Sequence, residues 1–209
     1  MTDLASSGTA SRSAFLELRE ELRLVNDGYE FLDEKRILLA TEMLRQRDAY
    51  RAEYAKFLKL WETAAAALVE AAAEQGLDGL QVQPAAEMSE ARLDWDSRPY
   101  LGQTMIEARF DAGDTTASDD ARGPSRKVRA CSDSFRQLLS SGAPLAARAT
   151  NLQRLMHEYR RTERRVRALD HVVLPEIRGD LATMAEHLDL NDQEEMLRVR
   201  SVRNVRLSG

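Results

Sequence analysis

Apolar residues recur over the first third of the chain with a sustained 3-4 spacing. From Phe15, positions 15, 18, 22, 25, 29, 32, 36, 39, 43, 46, 50, 53, 57, 60, 64, 67 and 71 read Phe, Leu, Leu, Val, Tyr, Leu, Arg, Leu, Met, Gln, Tyr, Glu, Phe, Leu, Ala, Ala, Ala. Only Arg36, Gln46 and Glu53 break the stripe, and polar residues at such positions commonly fix register. A seam repeating every 3.5 residues predicts a coiled coil, because a helix of 3.6 residues per turn must supercoil to keep that seam covered. The interval holds no proline, and Gly28 is its one internal glycine before Gly76. At 1.5 Å per residue, about 60 residues make a rod on the order of 90 Å long. No globular core needs such a helix, which points to the rod itself as the functional object.

Ser13 is placed to cap the first helix, with Glu17 near its positive end, and Gly76 is placed to stop it. Between Gly76 and about Ala130 the repeat disappears. Leu80 to Gln83 alternates briefly, Tyr100 to Phe110 is rich in β-favouring residues, and Asp111 to Arg126 is polar with Gly113, Gly123 and Pro124. This pattern predicts a short two-stranded hairpin and a flexible loop, resting on a helix or a partner because an isolated hairpin is marginal in water. A second helix starts at Ser132 or Asp133, is kinked or interrupted at Gly142 to Pro144, and resumes through Leu145, Leu152, Leu155, Tyr159, Thr162, Val166, Leu169 and Val173. Pro175 should bend it or loosen a turn, shifting the seam to Ile177, Leu181, Met184 and Leu188.

The expected fold is therefore mainly α: a long antiparallel two-helix coiled coil of the N- and C-terminal helices, with a short β-hairpin and loop excursion between them. Its expected divisions are a flexible tail (1–12), the first helix (13–75), a hairpin and loop tip (76–131), the second helix (132–206, kinked near 142–144 and 175) and a tail (207–209). Lengths alone pair Gln75 with Pro144 and Phe15 with Asn204, bringing the termini together at one end.

Composition fits a narrow seam better than a thick core, with 43% hydrophobic and 31% charged but only 6% aromatic residues. The net charge of −5 gives no overall pull toward nucleic acid or an anionic bilayer. A single cysteine, Cys131, excludes an internal disulfide and suits a reduced cytosolic setting. The Ser/Thr/Ala-rich start is not a secretory signal, and Ala64 to Ala73 is too short to span a bilayer, so no direct membrane insertion is expected.

Candidate chemistry is sparse. His157, His171 and His187 form no i, i+4 pair with one another or with cysteine, so no metal site is expected. No GxxxxGK[ST] or GxGxxG loop is present, so no cofactor or nucleotide is expected. Two basic clusters stand out: Arg154, Arg160, Arg161, Arg164, Arg165 and Arg167, and then Arg198, Arg200, Arg203 and Arg206. They read as a solvated coiled-coil flank, as a protein-docking surface, or as a nucleic-acid contact; the last wants a basic domain and groove-reading partners that the sequence lacks. From composition and spacing alone, a scaffold or tether remains an alternative.

Two stretches go further. Ser11-Arg12-Ser13, Leu16 to Arg19, Leu22, Gly28-Tyr29, Leu32 and Lys35-Arg36 resemble the opening of the D subunit of the vacuolar- and archaeal-type rotary ATPases. Thr162 to Ile177, with Arg164-Arg165-Val166-Arg167-Ala168-Leu169 and Pro175, resembles that family's RRVNALE…P signature. Arg167 stands where the family usually has Asn, Asp170 where it has Glu, and Asp33 where it has Lys. The resemblance implies a non-catalytic central-stalk rotor shaft that carries torque between ATP chemistry and ion transport. It implies as partners the catalytic A and B subunits, the F subunit and a membrane-ring adaptor of the C/d type, with no nucleic acid, and a cytoplasmic location peripheral to the membrane. On that basis Phe15, Leu18, Leu22, Arg198, Val199, Arg200, Val202 and Arg203 are expected at the bearing inside the A/B ring, with the apolar ones packed together. Arg164, Arg165 and Val166 are expected at the docking site of the F subunit.

Overall fold

The 3-4 seam folds as one helix, α1, spanning Arg12–Gln81 in the computed structural model, which describes residues 11–81, 91–113 and 125–207, with side chains to Ser201. The expected tails, the Pro84 region and most of the polar loop lie largely outside the described residues. Every seam position from Phe15 to Ala71 is buried or half-buried, Arg36, Gln46 and Glu53 included. The cap is Ser11 rather than Ser13: its hydroxyl accepts from Ala14 N–H at 3.1 Å and its carbonyl from Phe15 N–H at 3.0 Å. Gly76 stands at φ 75°, ψ 162°, the left-handed region that glycine enters at low cost, and breaks the helical path there.

The hairpin pairs β1 (Arg92–Tyr100) with β2 (Gln103–Asp111), antiparallel from Arg92↔Asp111 to Tyr100↔Gln103. The turn is Leu101-Gly102, with φ of 48° and 85°. Two positive φ angles in a two-residue loop make the primed turn whose twist suits the strands. The stretch rich in β-favouring residues, Tyr100 to Phe110, thus carries the turn at its start, and Pro99 lies inside β1. Proline is tolerated because Pro99↔Thr104 falls at a non-hydrogen-bonded pair, where the residue before the turn's closing pair points its nitrogen away from β2.

The second helical run opens at Arg126, where Ser125 offers its carbonyl to Arg129 N–H at 3.0 Å. It continues as α2 (Arg126–Ala168), a five-residue π-turn (Leu169–Val173) and α3 (Leu174–Leu207). Pro144 sits inside α2 without ending it. The Ser140 and Ser141 hydroxyls donate to the carbonyls of Arg136 and Leu138 beside the missing proline donor. The π-turn directly precedes Leu174-Pro175, where one extra residue lets the seam step from Val173 to the buried Leu174 and Ile177.

The chain divides into two compact units, one of Met1–Ile37 with Arg160–Gly209 and one of Leu38–Tyr159. In the first, Thr162, Val166, Leu174 and Ile177 are buried, and Arg12 reaches Asp192 at 2.9 Å. In the second, Glu53 meets Arg148 at 2.6 Å and Glu74 meets Lys127 at 4.0 Å. The helices are antiparallel in each, but the pairing derived from lengths is corrected: Glu74 lies opposite Lys127, not near Pro144, and the start of α1 lies opposite Asp192, not Asn204. The length argument began the pairing at Pro144, whereas α2 runs through Pro144 from Arg126 and pairs with α1 before it.

The core of the second unit is Leu39 of α1, Met105 of β2 and Leu155 of α2, with Met43, Tyr100, Leu101 and Tyr159 around it. Leu101 thereby keeps a left-handed conformation that costs an L-residue about 1–2 kcal/mol; its packing offsets that.

Candidate functional site

Cys131 is buried, and burial pushes its thiol above the usual value. That favours the unreactive neutral form. His157, His171 and His187 are all exposed, and His171 Nδ1 lies 3.6 Å from Asp170 in the π-turn. Among the described residues no group of three or more His, Cys, Asp or Glu side chains converges as a metal site. No helix among them is long and apolar enough to cross a membrane. What the chain offers instead is surface built on stiff helices.

The first surface is the free end of the first unit. Arg12 grips both oxygens of Asp192 at 3.0 and 2.9 Å. Beyond Asp192, every described side chain from Gln193 to Ser201 is exposed. Met196, Leu197 and Val199 are 65%, 64% and 63% exposed among Glu194, Glu195, Arg198 and Arg200, without cover from the described part of α1. Phe15, Leu18 and Leu22 are half-buried, but the expected packing of these residues against Val199 is corrected, because Val199 is exposed and lies past Asp192, which faces Arg12 at the start of α1. Arg198 faces Glu194 at 3.7 Å, one turn away, and Arg200 is exposed. The side chains of Val202 and Arg203 lie outside the described residues.

Arg164 and Arg165 are exposed on α2, whereas Val166 is buried and belongs to the seam. A second stripe escapes a reading of the seam alone. Tyr54, Leu58, Trp61 and Leu68 fall at i, i+4, i+7 and i+14 on α1, off the seam, and all are exposed. The signal is present in the sequence: apolar residues at helical spacing beside a seam widen the apolar face beyond what a two-helix coil can cover.

Polar contacts fix the second unit internally. Arg148 donates from Nε to Glu53 at 2.6 Å and from Nη1 to Gln46 at 3.4 Å, so one α2 side chain joins two of the seam's polar positions. Gln46 in turn donates to Glu42 at 2.8 Å. The hydrogen bonds from Arg45 hold the buried Glu42 carboxyl below the usual range against the opposing effect of burial.

The hairpin is clipped to α2 by its edge. Asn151 accepts from Ile106 N–H at 2.8 Å and donates to Ile106 C=O at 2.7 Å. Arg154 donates to Thr104 C=O at 2.6 Å, and Gln103 donates to Glu158 at 3.3 Å. Asn151, Arg154 and Glu158 share one face of α2, and together they cover the outer edge of β2. Beside this clip a groove of about 370 Å³ is lined by Trp95, Gly102, Gln103, Thr104, Ile106 and Arg154.

Comparison with known proteins agrees with this architecture. Residues 14–204 match the family described as the ATP synthase D subunit. The chain is 21% identical over 195 residues to the V-type ATP synthase D subunit of Thermotoga neapolitana, covering 92% of this chain and 95% of that protein. It is 26% identical to the A-type ATP synthase D subunit of Methanopyrus kandleri, covering 93% and 85%, and 23% identical to that of Pyrococcus abyssi, covering 93% and 92%. With almost the whole chain matched, from the first turns of α1 to the last turn of α3, the protein belongs to the ATP synthase D-subunit family.

Proposed function

We propose that this chain is the non-catalytic central-stalk rotor shaft of a V-/A-type ATPase or ATP synthase. It transmits torque between ATP hydrolysis or synthesis in a ring of A and B subunits and ion transport by a membrane ring. The F subunit and a C/d-type adaptor are its further partners, and it is peripheral to the membrane through that complex. ATP and ions bind elsewhere in the machine. A shaft must be stiff, which paired helices with a continuous seam provide. It must also present different faces to chemically identical sites, so that each is biased in turn by differential contact.

The observation that supports this reading is the bare end of α3, where Met196, Leu197 and Val199 are exposed past the Arg12–Asp192 contact, among Glu194, Glu195, Arg198 and Arg200. Three large apolar side chains within one turn of an exposed helix end are available for burial against a partner. Inside a ring it becomes a bearing, with Arg198 and Arg200 meeting acidic or polar surfaces and with Val202 and Arg203 following. Phe15, Leu18 and Leu22 then stiffen the root of that bearing. Deleting residues 198–209 is expected to leave ATP hydrolysis by the assembled complex but lose its coupling to ion transport, with helix content otherwise kept. Unchanged coupling would refute the placement.

Docking of the F subunit is assigned to Arg164 and Arg165, with Val166 supporting them from the seam. The double variant Arg164→Glu/Arg165→Glu is expected to reduce recovery of the F subunit with the tagged chain at least fivefold. Full recovery would remove this assignment.

A further inference from the structure

The two basic clusters differ in how their charge is answered. In the second, Arg198 faces Glu194 at 3.7 Å. In the first, Arg160, Arg161, Arg164 and Arg165 are all exposed on α2 and make no ion pair among the described residues. Acids stand within reach along the helix, but they are already engaged. Glu163 is held by Arg167 at 2.6 Å. Glu158 is buried and accepts from Gln103 at 3.3 Å.

The spacing makes these four arginines one another's neighbours. Arg160 and Arg164, and likewise Arg161 and Arg165, stand at i, i+4, while Arg161 and Arg164 stand at i, i+3. Like charges at these spacings destabilise a helix. A solvated helical flank normally interleaves both signs so that such pairs attract; here the free chain carries the repulsion unrelieved. The island is not part of a general basic surface either, because the whole chain has a net charge of −5. An apolar neighbour adjoins it: two turns beyond Arg165, Val172 is 50% exposed.

We propose that this face of α2 receives an acidic segment of the F subunit, whose carboxylates meet the two arginine rows. Residues four apart are set about 6 Å apart along the axis, which matches carboxylates at i, i+4 on a partner helix. Each guanidinium can hold a carboxylate through two parallel N–H donors, and Val172 meets an apolar residue beyond the charged rows. The inference rests on the assignment of F docking to Arg164 and Arg165. It adds Arg160 and Arg161 to that surface and names the chemistry of the partner's side. Contacts of this kind are screened by salt.

The test measures dissociation of the F subunit from the full-length tagged chain between about 0.05 and 0.5 M NaCl. Affinity is expected to fall at least tenfold over that range. Arg160→Gln/Arg161→Gln, outside the pair already assigned, is expected to weaken binding at least fivefold and to make the salt dependence shallower. Arg160→Lys/Arg161→Lys keeps the charge without the planar fork and is expected to lose less. The glutamine variant also removes like-charge neighbours, so the melting temperature of the free chain is expected to hold or rise, which separates lost docking from lost folding. Affinity independent of salt, or unchanged in Arg160→Gln/Arg161→Gln, would overturn the acidic partner while leaving the F-docking assignment in place. A lower melting temperature of the free glutamine variant would overturn it too, since the arginines would then serve the chain's own fold. Full recovery of the F subunit with Arg164→Glu/Arg165→Glu would instead remove the docking assignment, and this proposal with it.

Discussion

Asn151 is the point at which the hairpin can be detached without touching the helix seam. It is 3% exposed, and its amide makes both bonds to the Ile106 backbone, at 2.8 and 2.7 Å. In Asn151→Ala both are lost. Each net bond contributes about 0.5–1.5 kcal/mol, and each polar group left dry costs about 1–3 kcal/mol. Ile106 is half-buried, so water recovers part of the loss, and about 2–4 kcal/mol is expected. At about 1.4 kcal/mol per tenfold, the Ile106 amide should exchange about 30- to 700-fold faster. Amides of α1 and α2 within the seam should stay within about threefold of wild type, because opening is local. Asn151→Asp separates hydrogen bonding from shape. The new carboxyl still accepts from Ile106 N–H, but it can donate to Ile106 C=O only when protonated. Its folded pKa is therefore raised above the unfolded value, so the penalty is absent below the unfolded carboxylate range and grows as pH rises through the folded pKa. Native-like protection at low pH with loss at neutral pH is expected in this variant. Protection of Ile106 unchanged in Asn151→Ala would refute the clip.

Two further substitutions probe the core and the polar layer of the same unit. Leu155→Ala empties a fully buried position between Leu39 and Met105 and is expected to cost about 2–5 kcal/mol, read as a lower urea midpoint at constant slope; a loss under about 1 kcal/mol would show that the cluster is not a packed core. Glu42 has its folded pKa lowered, chiefly by Arg45, so its contribution is present above the unfolded carboxylate value and is lost as pH falls through the folded one. Glu42→Gln is expected to flatten the acid limb of stability between about pH 5 and the folded pKa, and an unchanged limb would refute the assignment.

The seam is legible in the sequence because burial on one side of a long helix leaves a period that nothing local disguises. All its positions from Phe15 to Ala71 are covered. The hairpin is legible only as a tendency. Its turn is Leu101-Gly102, and leucine at the first left-handed position hides a signal normally written with Asn or Asp. Pro99 likewise looks like a boundary, though its missing N–H merely faces away from β2. The expected packing around Val199 has the wrong neighbours, because pairing by length set Gln75 opposite Pro144, whereas α2 pairs with α1 from before Pro144. Val166 is legible as a seam position from its period and is the buried residue of its turn, while the adjoining Arg164 and Arg165 are exposed.

The register correction also bears on how the second unit resists sliding. A purely apolar seam is nearly indifferent to a shift of one heptad, since each leucine meets another. Arg148 is not indifferent. A one-heptad slide would carry its guanidinium about 10 Å along α1, away from Glu53 and Gln46, and leave half-buried charge without partners. Breaking such a pair on one side is far more costly than the pair is stabilising. The same slide would pull Asn151 and Arg154 off the backbone of β2, so the hairpin acts as a second stop. A helix pair in the proposed torque-carrying role needs its twist to propagate rather than dissipate in slippage. In this chain the positions that interrupt the hydrophobic pattern, Gln46 and Glu53, hold α1 in register with α2.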